Sequence, residues 1–395
     1  MRHTIHATVL CLALVSSLSA CEARQDPIEA ARPRPAPTTA TVQQLASDGG
    51  TLSVTRIAQG LEHPWAVALL PDGGFLVTER PGRMRRVGAD GAIDVPLEGV
   101  PLVWAHGQGG LMDVVLAPDF AVSNRIWFSY SEPGPDGTAG TTVATATLGE
   151  TALDDVHVVY RQPKVEGPNH FGSRIAFDNE GHVFISQGER NDRPTAQRLD
   201  KLQGKLVRLN LDGSVPADNP FVGRPDARPE IWSYGHRNSQ SLAFDPRTGN
   251  LWEAEHGPRG GDEINLPLPG RNYGWPITTH GINYSGLDIP EAVGETAPGI
   301  VAPHHVWEVS PALSGMAFYT GHGGSAWKDS VLLGALSGGV LIRLELDGDR
   351  IAGEERLLGE MGKRIRDVRV GADGAVYVLT DEIDGELLKL IPPRR

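Results

Sequence analysis

The sequence predicts an all-β chain closed into a six-bladed β-propeller of four-stranded antiparallel blades. Three observations carry this: a short pattern that recurs six times, a composition rich in turn residues, and no stretch with a sustained 3.6-residue apolar period. The pattern is a small or apolar stretch, then Pro or Asp, a tight turn, and an alternating strand.

The first copy runs Ala68-Leu69-Leu70-Pro71-Asp72-Gly73 into Phe75-Leu76-Val77. The second runs Leu116-Ala117-Pro118-Asp119 into Ile126-Trp127-Phe128, and the third Ala176-Phe177-Asp178 into Val183-Phe184-Ile185. Ala243-Phe244-Asp245-Pro246 leads to Leu251-Trp252, and Ala317-Phe318-Tyr319 to Val331-Leu332-Leu333. The last is Gly371-Ala372-Asp373-Gly374 into Val376-Tyr377-Val378. Neighbouring copies lie roughly 45 to 75 residues apart, the length of one small antiparallel sheet. A second strand often follows, as at residues 83–87, 205–209 and 341–346; residues 193–202 read as a short helix or loop insertion. A β-sandwich does not explain a six-fold repeat.

The 48 glycines and 30 prolines suit many tight turns. A net charge of -13 argues against a nucleic-acid partner, which needs a cationic footprint. Arg2, an apolar run over residues 8–18, and Leu18-Ser19-Ala20-Cys21 resemble a bacterial lipoprotein signal. Residues 1–20 are therefore expected to be removed, Cys21 to carry lipid, and the product to be a periplasmic or cell-envelope lipoprotein. An ordinary signal peptide with a chance Cys is the plainer alternative. The two cysteines are Cys11 and Cys21, so the exported body has no disulfide and must rely on its core. Residues 21–50 read as lipidated Cys and a Pro/Ala/Thr tether, and residues 51–395 as the propeller domain.

Propellers bind ligands on the loops at one mouth of the central channel, so polar loops rich in Gly are the candidate site. They are His106-Gly107-Gln108-Gly109-Gly110, Asn169-His170-Phe171-Gly172, Gly235-His236-Arg237-Asn238, and the run from Glu255-His256-Gly257-Pro258 to Asp262-Glu263-Ile264-Asn265. Asn272-Tyr273-Gly274-Trp275-Pro276, Tyr284, and Arg364-Ile365-Arg366 complete them. Taken singly, each also reads as an ordinary turn or a solvated face.

Together these motifs resemble the soluble pyrroloquinoline quinone (PQQ) dependent aldose and glucose dehydrogenases, the glucose/sorbosone dehydrogenase family, over about residues 55–391. The frame Gly204-Lys205-Leu206-Val207-Arg208-Leu209-Asn210 matches as well. The resemblance implies oxidation of an aldose at its anomeric carbon to an aldonolactone, with PQQ and Ca²⁺ as cofactors and an external electron acceptor. It implies His170 as the catalytic base, an imidazole suited to accept a proton near neutrality. It places Gln108, Arg237, Asn238, Tyr284, Arg364 and Arg366 at the cofactor. Calcium falls to the carbonyls of Gly257 and Pro258, with Glu263 and the Tyr273 carbonyl as ligands in the aldose dehydrogenase branch.

One departure is visible. The family usually has a Lys close to Gly334-Ala335-Leu336-Ser337, where this chain has Ser337. Two other functions stay open on sequence alone. One is a calcium-dependent lactonase-like propeller hydrolase; the other is a propeller that binds without catalysing.

Overall fold

In the computed structural model, residues 42–394 are described. The expected signal peptide and Cys21 lie outside them.

Six antiparallel sheets form six blades. Their innermost strands are Pro64–Leu69, Leu111–Leu116, Gly172–Phe177, Ser239–Phe244, Leu313–Tyr319 and Ile365–Val370. Each touches the next, and the sixth touches the first, so the strands close a ring. The six sequence repeats fall on the turn from the first to the second strand of each blade. The chain is thus a six-bladed β-propeller. The expected four strands per blade hold for blades 2 to 5 and fail for the other two. Blade 1 has three strands; its outer edge is reduced to one bridge between Val87 and Ile93. Blade 6 has five, because Gly50–Leu61 pairs with Gly385–Ile391 and Val42–Ser47 adds an edge.

That edge corrects the reading of residues 42–50 as tether. Val42-Gln43-Gln44-Leu45-Ala46-Ser47 is polar and mostly exposed, which is why it reads as linker. Backbone pairing at an edge needs no apolar side chain. The following strand buries Leu52 and Val54 and joins the N-terminal to the C-terminal part of the ring. Residues 193–202 carry a short 3₁₀ turn, Arg193–Gln197. The buried Lys205 amine fixes it by donating to the carbonyls of Thr195 and Ala196.

The core lies between blades. Six apolar clusters each join residues of two neighbouring blades, as Trp252 and Trp307 of blade 4 pack with Met316 and Leu333 of blade 5. Buried hydroxyls cross the same seams. Thr78 donates to the Met112 carbonyl at 2.6 Å, Ser129 to Ser173 at 2.7 Å, and Ser314 to Ile365 at 2.7 Å. Ser186 and Ser241 do the same for Ser239 and Ser314.

Antiparallel strands send alternate connections to opposite faces. Loops between second and third strands, and loops between blades, therefore share one face. Residues 80–82, 256–261 and 381–384 belong to the first kind; residues 88–110, 162–171, 235–238 and 358–364 belong to the second. This topology gathers residues scattered from His63 to Asp381 at one mouth.

Candidate active site

A cavity of about 530 Å³ opens at that mouth. Its lining includes Gln108, Asn238, Arg364 and Arg366, four of the six expected cofactor residues, with Trp65 and Phe171 as aromatic walls. His170 is 6 % exposed and adjoins the wall residues Phe171 and Gly172. Its backbone N–H donates to Gln108 Oε1 at 2.8 Å, which ties two of the expected residues together. Its φ of 56° is left-handed, a costly conformation for a residue with a Cβ and one that recurs where a side chain must be aimed.

His170 Nδ1 lies 2.5 Å from Glu189 Oε2. Glu189 is 1 % exposed, and its carboxylate also accepts the Asn191 N–H at 2.9 Å. Burial alone pushes the His170 pKa down and the Glu189 pKa up. Their mutual attraction opposes both; the outcome is a His170 pKa below its ordinary value and a Glu189 that stays ionised. Sequence reading missed Glu189. It follows a buried strand, His182–Gln187, in the run Gly188-Glu189-Arg190, and only that position hinted at it. Gly188 is required there, because a Cβ would lie 2.1 Å from the His170 carbonyl oxygen.

Arg364 and Arg366 converge on Asp381, a residue that sequence reading missed. Asp381 Oδ2 lies 2.6 Å from Arg366 Nη2 and 3.4 Å from Arg364 Nη2, and His63 Nδ1 is 3.1 Å from Oδ1. Burial pushes the Asp381 pKa up, yet the two guanidiniums outweigh it and hold it far below the carboxylate range. Arg366 Nε is buried with no hydrogen-bond partner among the described residues.

Beside the cavity lies a second, much smaller one lined by Arg237, Glu255, Gly257, Pro258, Glu263 and Tyr273. All four expected calcium residues are therefore brought together, and His256 lines both cavities. Gly257 has no room for a side chain, since a Cβ would sit 2.2 Å from the Gly260 carbonyl oxygen. Among the described residues neither the Gly257 nor the Pro258 carbonyl accepts a hydrogen bond. The Tyr273 hydroxyl donates to the Leu266 carbonyl at 2.6 Å and accepts the Leu268 N–H at 2.8 Å, so a cation would meet its carbonyl rather than its phenol. Burial pushes Glu263 well above the carboxylate range, with Glu255 adding to it.

One expected cofactor residue stands apart, and the position of the departure from the family is neutral. Tyr284 is 76 % exposed and is not part of the cavity wall. Ser337 is exposed in a turn whose neighbour Leu336 lines the cavity, so no cation enters from that position. Instead Arg80 and His63 line it, neither of them marked by a motif.

Residues 61–389 match the family model described as Glucose / Sorbosone dehydrogenase. The chain is 54% identical over 346 residues to the aldose sugar dehydrogenase YliI of Escherichia coli, covering 87% of this chain and 93% of that one. The apo-form crystal structure of the soluble E. coli aldose sugar dehydrogenase superposes with a TM-score of 0.85 at 54% identity, over 87% of this chain and 100% of that one. A PQQ-bound aldose sugar dehydrogenase from Streptomyces coelicolor gives 0.71 at 28% identity, over 90% and 100%. The chain is an oxidoreductase and belongs to the glucose/sorbosone dehydrogenase family.

Proposed function

We propose that the protein oxidises aldose sugars at the anomeric carbon to aldonolactones, using PQQ and calcium and passing electrons to an external acceptor. The observation that carries this is a buried His170–Glu189 pair beside a cavity walled by guanidiniums, amides and aromatic rings. A hydrolase would have no need of paired arginines facing into the same cavity.

The residues present fit the cofactor. A planar tricarboxylate suits a wall of Trp65 and Phe171 with Arg364 and Arg366 at its edge. The net charge of -13 repels such an anion at long range, so these local cations must capture it. The carbonyls of Gly257 and Pro258, which accept no hydrogen bond among the described residues, are oxygen donors of the kind calcium takes. When bound, the quinone supplies the hydride acceptor and calcium polarises it.

The chain supplies the rest. His170 Nε2 takes the proton from the anomeric hydroxyl while Glu189 holds Nδ1 and stabilises the imidazolium that forms. The Arg237 guanidinium, whose Nη1 donates to the His256 carbonyl at 3.1 Å, adds positive potential beside the reacting edge. A signal peptide, lipid on Cys21 and location in the cell envelope form part of the same proposal, supported by Leu18-Ser19-Ala20-Cys21.

The test is spectroscopic. Purified protein given PQQ and Ca²⁺ is expected to bind the quinone stoichiometrically, and aldose should bleach it to the reduced spectrum in one turnover. Binding without bleaching across a panel of aldoses would leave a binding propeller.

The pair also sets a pH dependence. Only neutral His170 accepts a proton, and its pKa is held below the ordinary 6.5. The acid limb of kcat/KM should therefore lie below pH 6.5, with full activity at neutrality. In Glu189→Gln the carboxylate that raises the His170 pKa is gone. The limb should move to still lower pH while kcat falls about 10- to 100-fold from lost orientation. A lower kcat with an unmoved limb would reduce Glu189 to a structural role.

A further inference from the structure

We propose that His236, Glu253 and Glu255 hold a buried divalent transition-metal ion behind the Arg237–Asn238 corner of the cavity. None of the three is a residue to which the resemblance assigns calcium, and the proposal stands independently of the sugar chemistry.

The ligand atoms are already assembled. One atom of each side chain lies within 4.8 Å of the others, and all three residues are buried. His236 Nδ1 is 3.4 Å from Glu255 Oε1 and 3.9 Å from Glu253 Oε2. Donors about 2.0–2.3 Å from a common ion lie at such separations from each other. The other ring nitrogen, Nε2, is 2.8 Å from Ser233 Oγ. If Nε2 donates to Ser233, the Nδ1 lone pair faces the carboxylates, the arrangement that orients metal-bound histidines.

Two buried oxygens of the cluster lack a hydrogen-bond partner among the described residues. Glu253 Oε1 has no hydrogen-bond partner, and Glu253 is 0 % exposed. Asn265 Oδ1 has none either, and Asn265 is 1 % exposed. The Asn265 Nδ2 lies 3.1 Å from Glu253 Oε2 and 3.2 Å from Glu255 Oε1. Turning that amide over would place Oδ1 in the same position as a fourth donor.

Charge points the same way. The facing strands pair Glu253 with Asn265 and Glu255 with Glu263, which sets three carboxylates on one sheet face. Glu263 belongs with the expected calcium residues; among the described residues no Lys or Arg lies in an ion pair with Glu253 or Glu255. Buried carboxylates without a counter-charge are costly, and a divalent cation supplies one. An imidazole among carboxylates selects zinc or manganese; calcium prefers oxygen ligands alone.

The site would act through Glu255. Its Oε2 accepts the backbone N–H groups of Arg237 and Asn238, and the Tyr273 ring stacks on His236 with centroids 5.0 Å apart. A metal that fixes Glu255 fixes the strand-end that presents Arg237 and Asn238.

The experiment uses the full chain, produced with zinc and manganese in the medium and exchanged into metal-free buffer to remove loosely held ions. Elemental mass spectrometry should find about one equivalent of zinc or manganese per chain. Glu253→Gln and His236→Gln should each lose at least tenfold of it, with circular dichroism confirming that they fold. X-ray absorption at the metal edge of the wild type, which needs no variant, should show a nitrogen among oxygen ligands. Equal metal in wild type and Glu253→Gln overturns the proposal, as does an all-oxygen shell or retention of calcium alone. A metal-free wild type that melts below Glu253→Gln also overturns it and assigns the cluster to a shared proton.

Discussion

Replacing His170 by alanine is expected to lower kcat about 10²- to 10⁴-fold, the range of a positioned general base, while PQQ still binds. The two effects separate because of what His170 touches. Its ring is held by Glu189 at 2.5 Å, and no hydrogen bond ties the ring to the guanidiniums that would grip the cofactor. The backbone bond from His170 N–H to Gln108 needs no side chain, so the loop keeps its anchor. Stopped-flow measurement of quinone reduction, with PQQ affinity from fluorescence, separates chemistry from binding. Undiminished reduction in His170→Ala would remove His170 as base; loss of PQQ binding would make it a cofactor-holding residue instead.

The cavity also balances charge in a way that bears on affinity. Asp381 occupies the point where Arg364 and Arg366 converge, within 3.4 Å of both. An incoming carboxylate must share those guanidiniums with a residue already paired. Positive charge with no carboxylate partner among the described residues comes from Arg80, whose Nη1 donates to the Gly107 carbonyl at 2.8 Å. With Ser337 exposed and neutral, capture of the proposed cofactor would rest on this group and on Arg366 more than the motif alone suggests.

The ring was legible because each repeat places a Pro/Asp/Gly turn between two apolar strands, a signal local in sequence. Where strands are made by pairing alone the signal vanishes. Ile93 forms a blade edge through one bridge, and residues 42–47 form one with polar side chains. The site divides in the same manner. His170, Gln108, Arg366 and the Gly257-Pro258 turn stood out through unusual local composition. Glu189 and Asp381 did not, since each gains its role from a partner many residues away. Tyr284 shows the converse: a matched motif position can point into solvent, because the excursion over residues 266–304 is held mainly by isolated bridges such as Arg259 to Ile282.

The largest expected loss of stability comes from the channel itself. Asp367→Ala should destabilise the fold by about 3–5 kcal/mol, the cost of removing one partner from a buried charge network. Asp367 Oδ1 lies 2.9 Å from Arg174 Nη1, and its Oδ2 accepts the Val67 N–H at 3.0 Å and lies 3.3 Å from Arg369 Nη2. Asp113 completes the quartet, 3.2 Å from Arg174 and 2.9 Å from Arg369, and accepts the Ile175 N–H. These contacts join blades 1, 2, 3 and 6 across the channel, and Arg174 Nε reaches the Gln240 carbonyl of blade 4 at 2.8 Å. Without Asp367, two guanidiniums share one buried carboxylate and the Val67 N–H at the seam between blades 6 and 1 loses its acceptor, leaving the Arg369 Nε bond to the Val67 carbonyl at 3.0 Å. Asp367→Asn can still accept from Val67 and should cost less. The loss should also reach the site, because the Arg174 guanidinium lies 4.1 Å from the centroid of the Trp65 ring that walls the cavity. Urea unfolding of the apo-protein reads the stability, and PQQ titration of the folded variant reads the wall. A cost below about 1 kcal/mol would show that the apolar inter-blade clusters hold the ring without this network.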